Sequence, residues 1–282
     1  MGANSSLTRR RVVWLTSTAL AGIPGLPSAA WAATPPRKSK PRIVVLDPGH
    51  GGPDPGTIGV SGHYEKTVAL AAAREMARRL AATGRYRVFL TRTTDRYIAL
   101  RDRVERARAA RAELFVSIHA DAHPDGSTRG ASVYTLSDAA SDREAAALAA
   151  KENKADVVAG IRFAPPPADI TSILIDLAQR DTINRSRKFA ALLLDALGNR
   201  HVDLLARSHR HAGFAVLTAP DTPAVLLEMG YLSNRQDERL LLSKAYQRRL
   251  GDALIDAIDH YFAGHTPIDI PPRPLPAASK RA

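Results

Sequence analysis

At 282 residues and 45% apolar composition, the chain can bury a sizeable core as one large domain or two small ones, and it carries no long polar repeat. It has no cysteine, which excludes a disulfide framework and a thiolate metal site, so a bound transition metal would have to be held by His, Asp or Glu. A formal net charge of +12 suits an anionic partner surface, and solubility alone is an equally serviceable explanation.

The chain opens on a targeting pattern. Thr8-Arg9-Arg10-Arg11 precedes an apolar stretch from Val12 to about Ile23, and Ala30-Trp31-Ala32 offers a small-x-small cleavage site, so residues 1–32 read as a signal peptide. The apolar run is shorter than the ~20 residues a membrane span requires, so no stable membrane anchor is expected. The paired arginines resemble a twin-arginine export signal; a general secretory signal is the alternative. Loss of Arg9, Arg10 and Arg11 leaves a charge of +9, which outside the cytoplasm fits a cell wall or membrane surface better than nucleic acid. Nucleic acid is further disfavoured because no basic face carries interleaved aromatics.

Residues 33–41 read as a Pro- and Lys/Arg-rich linker and 264–282 as a disordered Pro-rich tail, with the folded domain at 42–263. Inside it the spacing of apolar residues predicts strands at Ile43–Leu46, Tyr86–Leu90, Leu114–Ile118, Ala131–Leu136, around Phe214–Leu217 and at Ala224–Glu228. Helices are expected at Glu65–Ala82, Leu100–Ala112, Ser141–Ala150, Asn184–Leu197 and Lys244–Phe262. This alternation predicts an α/β single domain with a mostly parallel sheet and helices on both faces. The stretch from about 151 to 181 breaks the rhythm. It holds Gly160, the Pro165-Pro166-Pro167 run and an amphipathic segment, Ile170–Gln179, with Ile170, Ile173, Leu174 and Leu177 at helical spacing and Asp169 and Thr171 placed to cap, and it reads as an insertion with its own helix.

Four residues carry the chemistry: His50, Glu65, His119 and Glu228, each where an apolar run gives way to small or polar residues. Two imidazoles and a carboxylate make a three-ligand zinc set that leaves one position for water, and a second carboxylate can move that water's proton. His50 lies in the Gly-rich turn Asp47–Gly52, where Asp47 is a candidate to orient its ring. Glu65 opens a helix and is either a ligand or a first-turn dipole partner. His119 ends the most apolar strand and is either a ligand or a hydrogen-bonded core histidine. Glu228 also closes an apolar strand, where a buried, unpaired carboxylate costs several kcal/mol. A cation, an arginine or a raised proton affinity would each resolve that cost, and the last suits a general base. His63 and His123 lie close in sequence to these residues and could shape a rim, and His209 and His211 precede the Phe214 strand, whose loop could contact substrate.

Seven short motifs then occur together: Val45-Leu46-Asp47-Pro48-Gly49-His50-Gly51-Gly52, Glu65-Lys66, Leu90-Thr91-Arg92, Leu100-Arg101-Asp102-Arg103 with Ala107, Phe115 to Asp121, Gly130 to Tyr134 and Leu226 to Asn234. In this order they resemble the zinc-dependent N-acetylmuramoyl-L-alanine amidases of the bacterial cell-division type, over essentially all of Arg42 to Phe262. The resemblance implies a mixed six-stranded sheet, one zinc ion on His50, Glu65 and His119, and Glu228 as the catalytic carboxylate. The implied substrate is peptidoglycan, cut between N-acetylmuramic acid and L-alanine of the stem peptide during daughter-cell separation and wall remodelling, by a monomer in the periplasm or cell wall. It also implies that the insertion covers the site until an activator with a LytM-type domain displaces it. Lys151 to Asp156 and Ile173 to Arg180 correspond to that cover, with Glu152 the expected occupant of the open zinc position and Ile173, Leu174 and Leu177 an activator- or core-facing stripe. Met229 stands where many members of the family have threonine. Alternatives on the same residues are a zinc peptidase acting on stem peptides and a non-catalytic wall-binding protein.

Overall fold

The computed structural model describes residues 40–160 and 173–264, excepting the side chains of 173–178. The signal peptide, most of the linker, the Pro165–Pro167 run, the candidate caps Asp169 and Thr171, the side chains of the Ile173, Leu174 and Leu177 stripe, and the tail after Gly264 lie outside that description.

Six strands form one sheet: β1 (Arg42–Pro48), β2 (Tyr86–Leu90), β3 (Leu114–His119), β4 (Ala131–Leu136), β5 (Leu204–Ala212) and β6 (Ala224–Glu228), in the order β2-β1-β3-β6-β4-β5. Strands β2, β1, β3 and β6 run parallel, β4 is antiparallel to β6, and β5 is parallel to β4, so the sheet is mixed. The helices are α1 (Glu65–Ala82), α2 (Leu100–Ala109), α3 (Arg143–Glu152), α4 (Ala155–Val158), α5 (Ile173–Asn199), α6 (Arg235–Leu242) and α7 (Lys244–Ala263). Among the described residues no helix is long and apolar enough to cross a membrane.

The central strands are apolar on both faces because both faces are covered. Val44, Leu46, Val116, Ile118, Val225 and Leu227 point into one core with residues of α1, α5 and α7. Val45, Phe115, Leu226 and Tyr134 point the other way, onto Ala107 of α2, Ala145 and Leu148 of α3, and Val216. Each such aliphatic or aromatic side chain contributes about 1.5–3 kcal/mol on burial, and strict alternation along β1, β3 and β6 fixes their register. The parallel pairing aligns their carboxyl ends: Pro48 stands opposite Ile118, and His119 opposite Glu228. Side chains following these strands are thereby delivered to one edge, where open α/β sheets bind ligands.

Three expectations change. The apolar run Phe214–Leu217 is not a strand: Ala215–Leu217 is a 3₁₀ turn with Val216 and Leu217 buried, and the neighbouring strand is β5, whose Arg207, His209, Arg210 and His211 hide it in a polar edge. The segment from Ile173 and the helix expected at Asn184 are one continuous helix, α5. A short helix, α6, follows Asn234, whose side chain accepts from the amides of Gln236 and Asp237.

Candidate functional site

His50 follows β1 with φ of 58°, a left-handed backbone that a non-glycine residue adopts only when its surroundings enforce it. Two buried arginines do so. Arg103 donates from Nη1 to Pro48 O at 2.8 Å and from Nη2 to His50 O at 2.9 Å. Arg92 donates from Nε to Pro48 O at 2.9 Å and from Nη2 to Gly49 O at 2.6 Å and Lys66 O at 2.8 Å, which ties the turn to the start of α1. Gly49 is required by close approach, since a Cβ there would meet the His119 ring at 2.3–2.7 Å. At Gly56 (φ +66°) a Cβ would meet both the His50 ring and Glu65 Oε2.

Glu65, the first residue of α1, does not cap its own helix. Its Oε2 accepts from Thr57 N at 2.9 Å and its Oε1 from Ala120 N at 3.0 Å, which aims the carboxylate at the two imidazoles. His50 Nε2 and His119 Nδ1 each lie 3.1 Å from Glu65 Oε1. Among the described residues, His50, Glu65 and His119 form a buried group whose ligand atoms all lie within 4.8 Å of one another.

A fourth atom completes the figure. Glu152 Oε2, from the last residue of α3, lies 3.4 Å from His50 Nε2 and 3.3 Å from His119 Nδ1. A tetrahedral cation with bonds of ~2.0–2.1 Å has ligand-to-ligand edges of about 3.3 Å, so two imidazole nitrogens and two carboxylate oxygens separated by these distances fit such an ion. His50 Nε2 is also a buried polar atom with no hydrogen-bond partner, as an unmet ligand position would be. The His50–Glu65–His119 group can therefore hold a metal ion.

The electrostatics agree with a cation-seeking site. Burial pulls His50 down, but the Glu65 and Glu152 carboxylates outweigh it and hold its pKa well above the usual imidazole range. Burial likewise opposes ionisation of Glu65, yet the flanking histidines keep its pKa well below the carboxylate norm. His50 Nδ1 donates to Asp54 Oδ2 at 2.8 Å, fixing the tautomer with Nε2 turned inward. This corrects the expectation for Asp47, whose carboxylate is buried among Thr91, Ser117 and Arg103 instead. Asp54 escaped the sequence reading although it lies four residues from His50 in the same Gly/Pro-rich turn.

Glu228 ends β6 beside His119. Its Oε2 accepts from Asp121 N at 2.9 Å, and its Oε1 is buried without a partner. Burial first, then the negative charges of Glu65, Asp121 and Glu152, push its pKa well above the carboxylate norm. Among the described residues no arginine is a partner of Glu228.

The arrangement has relatives. A family profile described as N-acetylmuramoyl-L-alanine amidase matches residues 44–260. The chain is 40% identical over 232 residues to the amidase AmiC of Neisseria meningitidis, covering 80% of this chain and 54% of that protein. It is 38% identical over 270 residues to AmiA of Salmonella typhimurium, covering 91% and 93%. The chain thus spans about half the length of the Neisseria relative and nearly all of the Salmonella one. Among solved structures, the catalytic domain of the amidase CwlV from Bacillus (Paenibacillus) polymyxa aligns with TM-score 0.55 and 28% identity over 79% of this chain and 98% of that one. Agreement in sequence and in fold across the whole sheet and its flanking helices makes this chain a member of the N-acetylmuramoyl-L-alanine amidase family.

Proposed function

We propose that the chain is an exported zinc amidase that hydrolyses the bond between the lactyl group of N-acetylmuramic acid and L-alanine of the peptidoglycan stem peptide, acting in the periplasm or cell wall during daughter-cell separation. The observation that carries this reading is the convergence of ligand atoms of His50, Glu65 and His119, all within 4.8 Å of one another, beside the buried carboxylate of Glu228. His50, Glu65 and His119 would hold the ion, which when bound lowers the pKa of a water toward ~7 and polarises a carbonyl. Glu228 Oε1 is free to take a proton, while its Oε2 stays fixed by the Asp121 amide. Glu228 would pass that proton to the alanine nitrogen as the amine leaves. Digestion of purified peptidoglycan tests the reading: released peptides with free L-alanine N-termini and intact glycan support it. Cleavage elsewhere, or cleavage indifferent to chelator, refutes it.

The same reading makes α3 and α4 a cover. Glu152 takes the position that substrate or water needs, and three neighbours fasten it. Lys151 Nζ donates to Thr57 Oγ1 at 2.7 Å and to Asp121 Oδ1. Asn153 Nδ2 donates to Gly213 O at 2.8 Å and its Oδ1 accepts from Ala215 N at 2.8 Å. Asp156 Oδ1 accepts from Tyr97 Oη at 2.7 Å and Leu100 N at 2.9 Å. A partner with a LytM-type domain would open this cover. Glu152→Ala is expected to raise hydrolysis by the purified chain without any partner, and an unchanged basal rate would remove Glu152 from the role.

A further inference from the structure

The covering helix carries an acid at each end. At its carboxyl end Glu152 faces His50 and His119. At its amino end Glu144 Oε2 accepts from Arg210 Nη1 at 2.9 Å, and Asp142 Oδ2 lies 3.7 Å from Arg210 Nε. His123 approaches the same carboxylate from the loop after β3, with Nε2 3.8 Å from Glu144 Oε1, so Glu144 sits between a guanidinium and an imidazole.

Arg210 belongs to the sheet and not to the cover. It lies on β5 opposite Tyr134 of β4, which in turn stands opposite Leu226 of β6, two residues before Glu228. Its side chain is only 8% exposed, and its Nε is held by Arg207 O at 3.1 Å. Displacing α3 removes Asp142 and Glu144 together and leaves the Arg210 guanidinium, still held through Nε by Arg207 O, without those carboxylates and open to an incoming one. Displacement also bares the apolar floor on which Ala145 and Leu148 rest, including Tyr134, Phe214 and Leu226.

The spacing selects the ligand. Glu144 and Glu152 are eight positions apart on α3, about 12 Å at a helical rise of ~1.5 Å per residue. An extended peptide rises ~3.3 Å per residue, so the same distance spans three to four residues. We propose that Arg210, with His123 beside it, is a carboxylate subsite for the stem peptide, taking an acid three to four residues beyond the scissile amide, and that Glu144 and Asp142 occupy it while the site is covered. The cover thereby imitates substrate at both ends. This rests on the amidase reading and on α3 as the cover.

Two soluble N-acetylmuramoyl tetrapeptides that differ only in a terminal carboxylate or carboxamide test it, with hydrolysis followed for the zinc-loaded wild-type and Glu152→Ala chains. The acid is expected to be preferred by about tenfold or more, through KM, as loss of a charge-assisted hydrogen-bond pair implies. Arg210→Gln should cleave both at the carboxamide's rate, and Arg210→Lys should keep part of the preference. The ratio is taken between two substrates on one preparation, so a loss of folded enzyme lowers both rates and leaves it unchanged. Amidating a side-chain acid at the third residue instead shows which of the two carboxylates Arg210 takes. Equal rates for all of these substrates, or a preference that survives Arg210→Gln, overturns the subsite and leaves the amidase standing. Cleavage of none by either chain removes the amidase reading and the subsite with it.

Discussion

His50 Nδ1 donates to Asp54 Oδ2 at 2.8 Å, and both groups are buried. An imidazole that donates from Nδ1 to a carboxylate presents Nε2 as a lone pair of increased basicity, the state a metal requires. Asp54→Ala should therefore lower metal affinity by about 10- to 100-fold in a competition with a chromogenic chelator, with little loss of fold. Undiminished affinity would show that Asp54 plays no part in orienting the ring.

The Asp47–Arg103 pair lies one layer deeper. Burial pushes Asp47 up, but Arg103 and the hydroxyls of Thr91 and Ser117 outweigh it, so its folded pKa is depressed. A depressed carboxylate contributes stability that is fully present above its unfolded value of ~3.9 and is lost as pH falls through the folded value. Asp47→Asn should consequently unfold with a weaker pH dependence below ~4 than the wild type. Arg103→Met leaves Asp47 buried and unpaired and should cost about 3–5 kcal/mol in denaturant unfolding at neutral pH.

Glu228→Gln keeps the Asp121 hydrogen bond and the shape of the site but cannot take a proton. A fall in kcat of about 10²–10⁴-fold, with metal content intact, is the expected outcome. A variant retaining most of its activity would assign the proton transfer to another group.

Asp156 Oδ1 accepts from Tyr97 Oη and Leu100 N, fastening the proposed cover away from His50, Glu65 and His119. At about 0.5–1.5 kcal/mol per bond, losing both bonds in Asp156→Ala should shift the cover toward opening and raise partner-free hydrolysis by roughly 5- to 150-fold. If the rate stays at the wild-type level while Glu152→Ala is activated, Asp156 is structural only.

The sheet was legible wherever an apolar run forms a strand, on the half-buried edge strand β2 as well as in the buried β4 and β6. Tyr86–Leu90, Ala131–Leu136 and Ala224–Glu228 stand as read, because β-branched and aromatic runs bounded by Gly, Pro or Asp have few other uses. Strand β5 was not legible, because an edge strand that carries Arg207, His209, Arg210 and His211 lacks apolar alternation, while the apolar Phe214 run beside it fills the core from a turn. His50, Glu65, His119 and Glu228 could be singled out because each ends an apolar segment or opens a helix, and parallel register brings those ends together. What surrounds them could not be read in the same way. That Asp54 and not Asp47 faces His50, or that Arg92 and Arg103 brace its carbonyl, depends on how a Gly-rich turn folds back, and sequence spacing does not encode that. Glu152 came from family resemblance alone, since nothing in the local sequence marks one glutamate of a solvated-looking helix as buried.

Anomalous diffraction at the zinc edge from crystals of the zinc-loaded mature chain tests the central convergence most directly. One peak per chain is expected, with bonds of ~2.0–2.2 Å to nitrogens of His50 and His119 and an oxygen of Glu65. A fully loaded protein whose ion sits on other residues, or whose His50 and His119 rings turn away from a common point, would contradict the account.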